Sequence, residues 1–261
     1  MPVRRPVALF CVFLALLFSP PSRSQSKGVV NESAAFPSAE TLSFIVEWRL
    51  IFAGDAQMSF EPRKWSDKAG WEARLNVQSG GLVSKLYKLD DKYRTALIEQ
   101  FCTTATNLDA TEGKRHHEVR VNYDYSRGKA TYFEHDLIKN MSKTAESDIP
   151  ACVTDILGAL YKLRTLRLEP GQSAQIPVSD GKKTASARVE AQEREQIKTR
   201  IGTFNTVRCE AFVFNGVLFA RKAQLQIWLS DDARALPVQV RARMAFPVGS
   251  ITFTLDKVEQ P

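Results

Sequence analysis

The sequence TLSFIVEWRLIFAG, which spans Thr41–Gly54, carries the strongest structural signal in the chain. Apolar residues occupy six successive even-numbered positions: Leu42, Phe44, Val46, Trp48, Leu50 and Phe52. Successive side chains of a β-strand point to opposite faces of a sheet, so a strand would place all six on one face. The same spacing does not fit the apolar stripe of a helix. The stretch therefore predicts a long strand, followed by a hairpin turn at Ala53-Gly54-Asp55.

The same alternation recurs along the chain between short turn sequences. Clear examples are the pairs of strands that flank Ser126–Lys129 and Asp180-Gly181. Residues 103–115 are polar and contain Gly113, so they are predicted to form a loop. About ten to twelve strands joined by hairpins favour a single sheet that curls. The predicted fold is all-β, or β-rich α+β: a large curved antiparallel sheet or open barrel with one main helix.

One segment has the spacing of a helix. Between residues 151 and 167, apolar side chains recur every three or four positions, at Val153, Ile156, Leu157, Leu160, Tyr161 and Leu163. Pro150 is suited to begin a helix, and Pro170-Gly171 ends the segment. Asp155 fits a polar residue of the helix start better than a catalytic carboxylate. Residues 82–89 fit either a second, short helix or an irregular crossing.

The first 24 residues are typical of a secretory signal peptide. Arg4 and Arg5 precede twelve consecutive apolar residues, Val7–Phe18, and the small residues Ser22 and Ser24 follow. The apolar run is shorter than the ~20 residues of a transmembrane helix, and an uncleaved N-terminal anchor is the alternative. No later stretch of the sequence is apolar enough to span a bilayer. The sequence thus predicts a periplasmic protein, with secretion or association with the outer membrane as alternatives.

The rest of the chain divides into a linker and one domain. Residues 25–39 are small and polar without periodicity, which favours a flexible linker, and residues 40–259 form a single predicted β-rich domain. Cleavage after residue 24 removes three arginines and lowers the net charge from +7 to +4. The remaining basic residues are scattered, so this small excess does not indicate nucleic-acid binding.

Three cysteines remain after signal cleavage: Cys102, Cys152 and Cys209. An oxidising compartment permits one disulfide among them. Cys102 and Cys152 each lie at the edge of a predicted element, whereas Cys209 lies inside an apolar strand. The predicted disulfide therefore joins Cys102 to Cys152, and Cys209 is predicted to be a small buried residue. Three separate buried thiols are the alternative.

Residues that carry catalysis or bind metals are few and poorly placed. His116 and His117 are adjacent on a predicted strand and point to opposite faces, while His135 lies on the returning strand. Such a set makes a poor metal site. Asp231-Asp232 fits a turn better than an acid–base pair, and the sequence lacks nucleophile-elbow, phosphate-loop and zinc-protease motifs. The prediction is a protein without enzymatic activity, with no catalytic residues, metal site or cofactor.

Four segments follow one another in an order known from a bacterial family. They are FIVEWRLIFAGDAQMSF (Phe44–Phe60), LVSKLYKLDDKYRTAL (Leu82–Leu97), IPACVTDILGALYKLRTL (Ile149–Leu166) and LQIWLSDDARALPVQVRAR (Leu225–Arg243). Over most of residues 42–258 the chain resembles the family called domain of unknown function 3108. The resemblance implies an exported β-rich envelope protein with no established activity. It also implies an architecture loosely like that of periplasmic lipoprotein carriers, in which a curved sheet wraps a helix and offers an apolar cavity.

If one helix does not fill the concave side of such a sheet, an apolar cavity remains. The candidate ligand-binding residues are Phe44, Trp48, Phe52, Trp71, Tyr161, Arg164 and Trp228. The aromatic ones fit a packed core as the alternative, and Arg164 with Arg167 fits either an anionic head group or solvent. The predicted function is a binding or carrier module for an apolar or amphipathic envelope component, with a lipid or lipoprotein as ligand. The alternatives are a structural protein that binds an envelope protein partner, and a cell-wall hydrolase.

Overall fold

The computed structural model describes residues 39–65, 68–213, 223–245 and 249–260. The predicted signal peptide and all but the last residue of the predicted linker lie outside these ranges. Within them, neither helix has the length and apolar character needed to cross a membrane.

Fourteen strands make up most of the described residues. The first eight are β1 (Glu40–Trp48), β2 (Ile51–Trp65), β3 (Lys68–Ser79), β4 (Leu89–Ile98), β5 (Thr103–Glu112), β6 (Arg115–Asp124), β7 (Lys129–Asp136) and β8 (Met141–Asp148). The other six are β9 (Ser173–Ser179), β10 (Thr184–Thr199), β11 (Gly202–Phe212), β12 (Ala223–Ser230), β13 (Pro237–Met244) and β14 (Ser250–Glu259). Two helices, α1 (Val83–Leu86) and α2 (Ile156–Leu166), interrupt the series.

All fourteen strands form one antiparallel sheet, which confirms the predicted fold class. The order along the sheet is β8-β7-β6-β5-β4-β3-β2-β1-β14-β13-β12-β11-β10-β9. Strands that follow one another in sequence pair, except β8 and β9, and β1 also pairs with β14 in the middle of the sheet. Because β8 and β9 remain as edges, the sheet is an open barrel rather than a closed one.

The first hairpin turns earlier than the sequence predicts. β1 ends at Trp48, Arg49 and Leu50 form the turn with φ values of 50° and 70°, and β2 begins at Ile51. The predicted turn at residues 53–55 is wrong, because those residues lie within β2. Leu50 projects from the tip and is 87% exposed, so it does not share the buried face predicted for it.

Two further predictions need correction. The loop predicted at residues 103–115 is largely β5, whose buried side chains include the small or polar Thr106 and Ala110. The main helix begins at Ile156 rather than near residue 151. Asp155 is its N-cap, as expected for a polar residue at the helix start, and its Oδ1 accepts a hydrogen bond from the Gly158 N–H at 2.7 Å.

The segment before α2 links the two edges of the sheet. Thr154 forms a parallel bridge with Val178 of β9. Ile149 donates its backbone N–H to the β6–β7 turn at 3.0 Å, and the hydroxyl of Ser147 in β8 donates to the carbonyl of Gly181 at 3.0 Å. These contacts bring the edges together without a continuous ladder between them.

The hairpin turns alternate between two ends of the open barrel, because neighbouring strands run in opposite directions. The turns β1–β2, β3–β4, β5–β6 and β7–β8 share one end, which we call the mouth end. The turns β2–β3, β4–β5, β6–β7 and β10–β11 share the other, which we call the packed end. Leu42, Leu97 and Leu255 lie toward the packed end and are completely buried.

The core of the packed end is built around Phe60. Its ring stacks on Tyr161 of α2 with 4.2 Å between centroids and on Trp71 of β3 with 4.8 Å. A Cβ at position 158 would lie 2.9 Å from Cδ2 of Leu97, so Gly158 allows α2 to approach β4 closely. Stacked rings and the close helix fill the core around Phe60.

Candidate functional site

An apolar cavity of about 400 Å³ lies between α2 and the two arms of the sheet. Its size is within the range of small-molecule sites, about 300–1,000 Å³. One wall comes from the strands β1–β5: Phe44, Met58, Leu75, Val77 and Leu108. The opposite wall comes from the strands β9–β14: Ile176, Val178, Ala187, Val189, Ala211, Leu225, Ile227, Val240 and Phe253.

α2 separates the cavity from the packed core. Ile156, Ala159, Leu160 and Leu163 recur at helical spacing and line the cavity. Tyr161 points the other way and is completely buried against Phe60 in the core of the packed end. The helix therefore has two apolar faces, one that packs in the core around Phe60 and one that lines the cavity.

The cavity lies toward the mouth end. Its lining residues Leu75, Val77 and Phe253 are only partly buried, although they are apolar and point inward. Leu97 lies in β4, next to β3, and Leu255 lies in β14, the strand of Phe253. Both are nearer the packed end and are completely buried. Partial exposure of apolar inward side chains indicates that the described residues leave the cavity open to solvent at the mouth end.

Two of the lining residues, Tyr93 and Asp91 of β4, are polar. The hydroxyl of Tyr93 donates a hydrogen bond to Oδ2 of Asp155 at 2.9 Å, and the hydroxyl of Thr106 donates to the same atom at 2.8 Å. Burial, followed by the charge of Asp155, raises the pKa of Tyr93. The hydroxyl of Tyr93 is therefore already used in a hydrogen bond to Asp155, the N-cap of α2.

Asp91 differs from Tyr93 because one of its oxygens is unpartnered. Its Oδ1 is buried and has no hydrogen-bond partner. Burial and the neighbouring carboxylates, Glu112 first and then Asp90, raise the pKa of Asp91 to about 7, although the Thr111 backbone amide opposes this. Near neutral pH the cavity wall thus holds a carboxyl group that is able to exchange its proton.

Of the seven predicted ligand-binding residues, only Phe44 lines the cavity. Tyr161 and Trp71 stack on Phe60 in the packed core. Trp48 is partly buried at the end of β1, with the Arg49 guanidinium 5.3 Å from its ring centroid.

Phe52 and Trp228 lie on the outer face of the sheet. Phe52 pairs with Glu47, which points outward because its neighbour Val46 points inward. Phe52 is 42% exposed. Trp228 follows the inward Ile227, and its indole N–H donates to a carboxylate oxygen of Glu195 at 2.7 Å. The structure therefore does not bring the predicted aromatic set together around the cavity.

Arg164 is buried rather than solvated, and it does not line the apolar cavity. It is 1% exposed and forms a two-pronged ion pair with Glu40 of β1, in which Nη2 and Oε2 are 3.0 Å apart. Its Nε donates to the carbonyl of Ala235 at 3.0 Å. Arg167 is half-buried and donates to the backbone carbonyls of Asp232 and Ala233. Arg164 of α2 and Arg167, the C-cap of α2, thus hold the β12–β13 connection.

The predicted disulfide between Cys102 and Cys152 is present, and Cys209 is a buried free thiol. Burial raises the pKa of Cys209 to about 12, so it is unreactive near neutral pH. Asp232 belongs to a turn, where its carboxylate accepts from the Arg234 backbone N–H at 2.9 Å. No group of three or more metal-binding side chains is close enough together in the described residues to hold an ion.

Sequence reasoning missed most of the cavity wall. The residues of α2 that face the cavity could have been predicted, because Ile156, Leu160 and Leu163 are part of its helical pattern. Asp91 could also have been predicted to face inward, because it alternates with Tyr93 and so lies on the same face of the strand. Ala187 and Ala211 gave no signal, since small residues mark neither a core nor a cavity.

The comparisons with known proteins concern family and fold. The family model "Protein of unknown function (DUF3108)" matches residues 43–256. A beta-barrel-like protein of the domain of unknown function DUF1849 from Brucella abortus superposes with a TM-score of 0.57 at 9% identity, over 87% of this chain and 100% of that one. A protein with a YmcC-like fold from Bacteroides fragilis gives a TM-score of 0.32 at 9% identity, over 86% and 98%. The first likeness shows the fold alone, the second is too weak to support an argument, and no curated protein matches the chain.

Proposed function

The chain belongs to the DUF3108 family of proteins of unknown function, and we propose that it binds an amphipathic molecule of the bacterial cell envelope by enclosing its apolar part. A lipid, or the acyl chain of a lipoprotein, is the ligand class. In this proposal the protein is a carrier without enzymatic activity. It works in the periplasm, where its predicted signal peptide would deliver it.

The apolar lining of the cavity is the observation that carries the proposal. All but two of the residues that line it are apolar. Water is held poorly in a space with so few polar partners. An acyl chain that enters it gains roughly 0.8 kcal/mol for each CH₂ group removed from water. The site therefore favours a chain of many CH₂ groups over a small polar molecule.

Asp91 limits the kinds of polar group that a bound ligand can carry. Its Oδ1 is unpartnered and lies in the wall of an apolar site. The nearby carboxylates Glu112 and Asp90 make this part of the wall negative. A hydroxyl or amine would donate a hydrogen bond to Asp91, whereas a phosphate or carboxylate would be repelled. We therefore expect a ligand whose polar group is a hydrogen-bond donor.

The disulfide supports a location outside the cytoplasm. Cys102 and Cys152 are bridged across 50 residues of sequence. Disulfides of this kind persist in oxidising compartments and are rare in the cytosol. This agrees with the signal peptide predicted for residues 1–24.

Filling the cavity tests the proposal. Ala187 is 2% exposed and lines the cavity, so Ala187→Phe would place a ring where the chain binds. The probe is a fluorescent long-chain alcohol titrated into the purified protein. We expect Ala187→Phe to weaken binding by at least an order of magnitude.

The matched control is Ala105→Phe, on the outer face of β5. Ala105 alternates with the inward Thr106 and is half-buried. Circular dichroism shows whether both variants are folded. Loss of binding in Ala187→Phe alone supports the proposal. Equal binding by the two variants, or no binding by the unchanged protein, contradicts it and favours a structural or interaction protein of the envelope.

A further inference from the structure

The turns at the mouth end expose a large amount of apolar surface. Nine of the twelve large apolar side chains that are exposed in the described residues lie in or beside three of these turns. The most exposed are Leu50 (87%), Leu86 (80%), Leu82 (70%) and Ile138 (67%). At the packed end, the one such side chain among the described residues is Ile201 (44%). Apolar patches of this extent mark interaction surfaces.

Contacts between the turns make this surface continuous. The ring of Phe52 covers Gly80, where a Cβ would lie 2.9 Å from Cε1 of the ring. The ring of Tyr87 covers Gly113, where a Cβ would also lie 2.9 Å away. The N–H of Leu137 donates to the backbone of β6 at 2.8 Å. The exposed side chains are therefore held on one connected rim.

The charge of this rim is positive. We call residues 49–52, 80–88, 113–114 and 137–141 the mouth rim. Five basic residues and no acidic residue belong to it: Arg49, Lys85, Lys88, Lys114 and Lys139. Asp136 and Glu112 flank the rim: Asp136 pairs with Lys139 at 3.7 Å, and Glu112 pairs with Arg115 at 4.0 Å. The whole chain is close to balanced, with 36 basic and 29 acidic residues, so the bias is local.

We propose that the mouth rim docks onto the surface of a lipid bilayer that contains anionic lipids. Exposed apolar side chains mixed with lysines are what binds at the boundary between head groups and acyl chains. The rim lies at the end of the sheet toward which the apolar cavity opens, so docking would bring that opening toward the membrane. The rim would dock whether or not the cavity holds a ligand, so this inference goes beyond the proposed function and is tested separately.

Vesicle co-sedimentation tests the docking surface. The protein used is the chain from residue 25 onward, which lacks the predicted signal peptide. We expect binding to vesicles of phosphatidylcholine mixed with phosphatidylglycerol, weaker binding to phosphatidylcholine alone, and weaker binding at high salt. Leu82→Ser with Leu86→Ser should lower the binding roughly tenfold or more, because two exposed apolar anchors are lost.

A second pair of variants separates charge from apolar contact. Lys85→Glu with Lys88→Glu should lower binding to the mixed vesicles roughly tenfold and remove the effect of salt. Lys198→Glu with Ile201→Ser is the control: it makes one change of each kind at the packed end and should leave binding unchanged. The proposal is overturned if the unchanged protein does not bind the mixed vesicles. It is equally overturned if either rim variant binds as well as the packed-end variant.

Discussion

Among the described residues that line the cavity, Asp91 is the only charged one. Its pKa is raised to about 7 from an ordinary value of 3.8. Between these values the folded protein keeps a proton that the unfolded chain releases. The free energy of unfolding therefore falls as pH rises through this range, and the contribution of Asp91 is lost above about pH 7.

Replacing Asp91 by asparagine tests this pH dependence. The carboxyl is partly exposed, so the contribution is discounted for solvent screening to roughly 1–2 kcal/mol. The unchanged protein should lose this stability as the pH rises from about 5 to about 7. We expect the Asp91→Asn variant not to show that loss. Urea unfolding at a series of pH values measures it. Parallel stability curves for the two proteins across this range would rule out the raised pKa.

Arg164 is the clearest buried charge, and we expect its removal to be costly. Arg164→Met leaves the carboxylate of Glu40 buried without its partner, which costs about 3–5 kcal/mol of stability. The matched control is Arg127→Met, because Arg127 and Glu146 form an exposed pair 3.2 Å apart that contributes about 1 kcal/mol or less. Denaturant unfolding measures both. A cost for Arg164→Met no greater than that of the control would contradict the role of the buried pair.

The different outcomes for these residues follow from distance along the chain. Asp91 was not predicted, but it alternates with Tyr93 in β4, so the local spacing contained the information that places it on the inner face. Arg164 is buried because Glu40, 124 residues away in sequence, meets it in the fold. Its helical spacing gave no indication of that partner. Burial of a charged side chain was therefore beyond local pattern reasoning.

At the scale of elements, the sequence predicted strands wherever large apolar residues alternate. It failed for β5 and β8, because the inward positions of β5 are partly small or polar and β8 is an exposed edge strand. It also misplaced the first turn. Arg49 and Leu50 adopt positive φ, a conformation that favours glycine or asparagine, whereas the glycine that indicated a turn lies inside β2.

The disulfide gives a prediction at the same scale. It joins the β4–β5 turn to the segment before α2 and closes a loop of 50 residues. Closing such a loop stabilises the fold by roughly 4 kcal/mol, mainly by restricting the unfolded chain. We expect a reductant to lower the free energy of unfolding by about this amount. The measurement is urea unfolding with and without reductant.

The control for this prediction is the variant that carries both Cys102→Ala and Cys152→Ala. It should be destabilised to a similar extent and should not respond to reductant, because Cys209 is buried and unpaired. If the reductant lowers the stability of this variant as much as that of the unchanged protein, the effect does not come from the disulfide.

At the scale of the molecule, the cavity arises from how the sheet closes. Strands β1–β5 and β9–β14 face each other across α2, and the helix fills the packed end but not the mouth end. The alternation in the sequence predicted one curled sheet with one main helix. It did not predict the cavity's wall, which depends on small residues such as Ala187 and Ala211 meeting α2 from strands far away in sequence.

The central claim is that an apolar chain binds inside this cavity. Photo-crosslinking with a long-chain alcohol that carries a diazirine near its methyl end tests it most directly, with labelled peptides identified by mass spectrometry. The account predicts labels on the inner face, at residues such as Leu160 of α2 and Val189 of β10, and their loss in Ala187→Phe. Labels confined to the mouth rim or to the outer face of the sheet would contradict it.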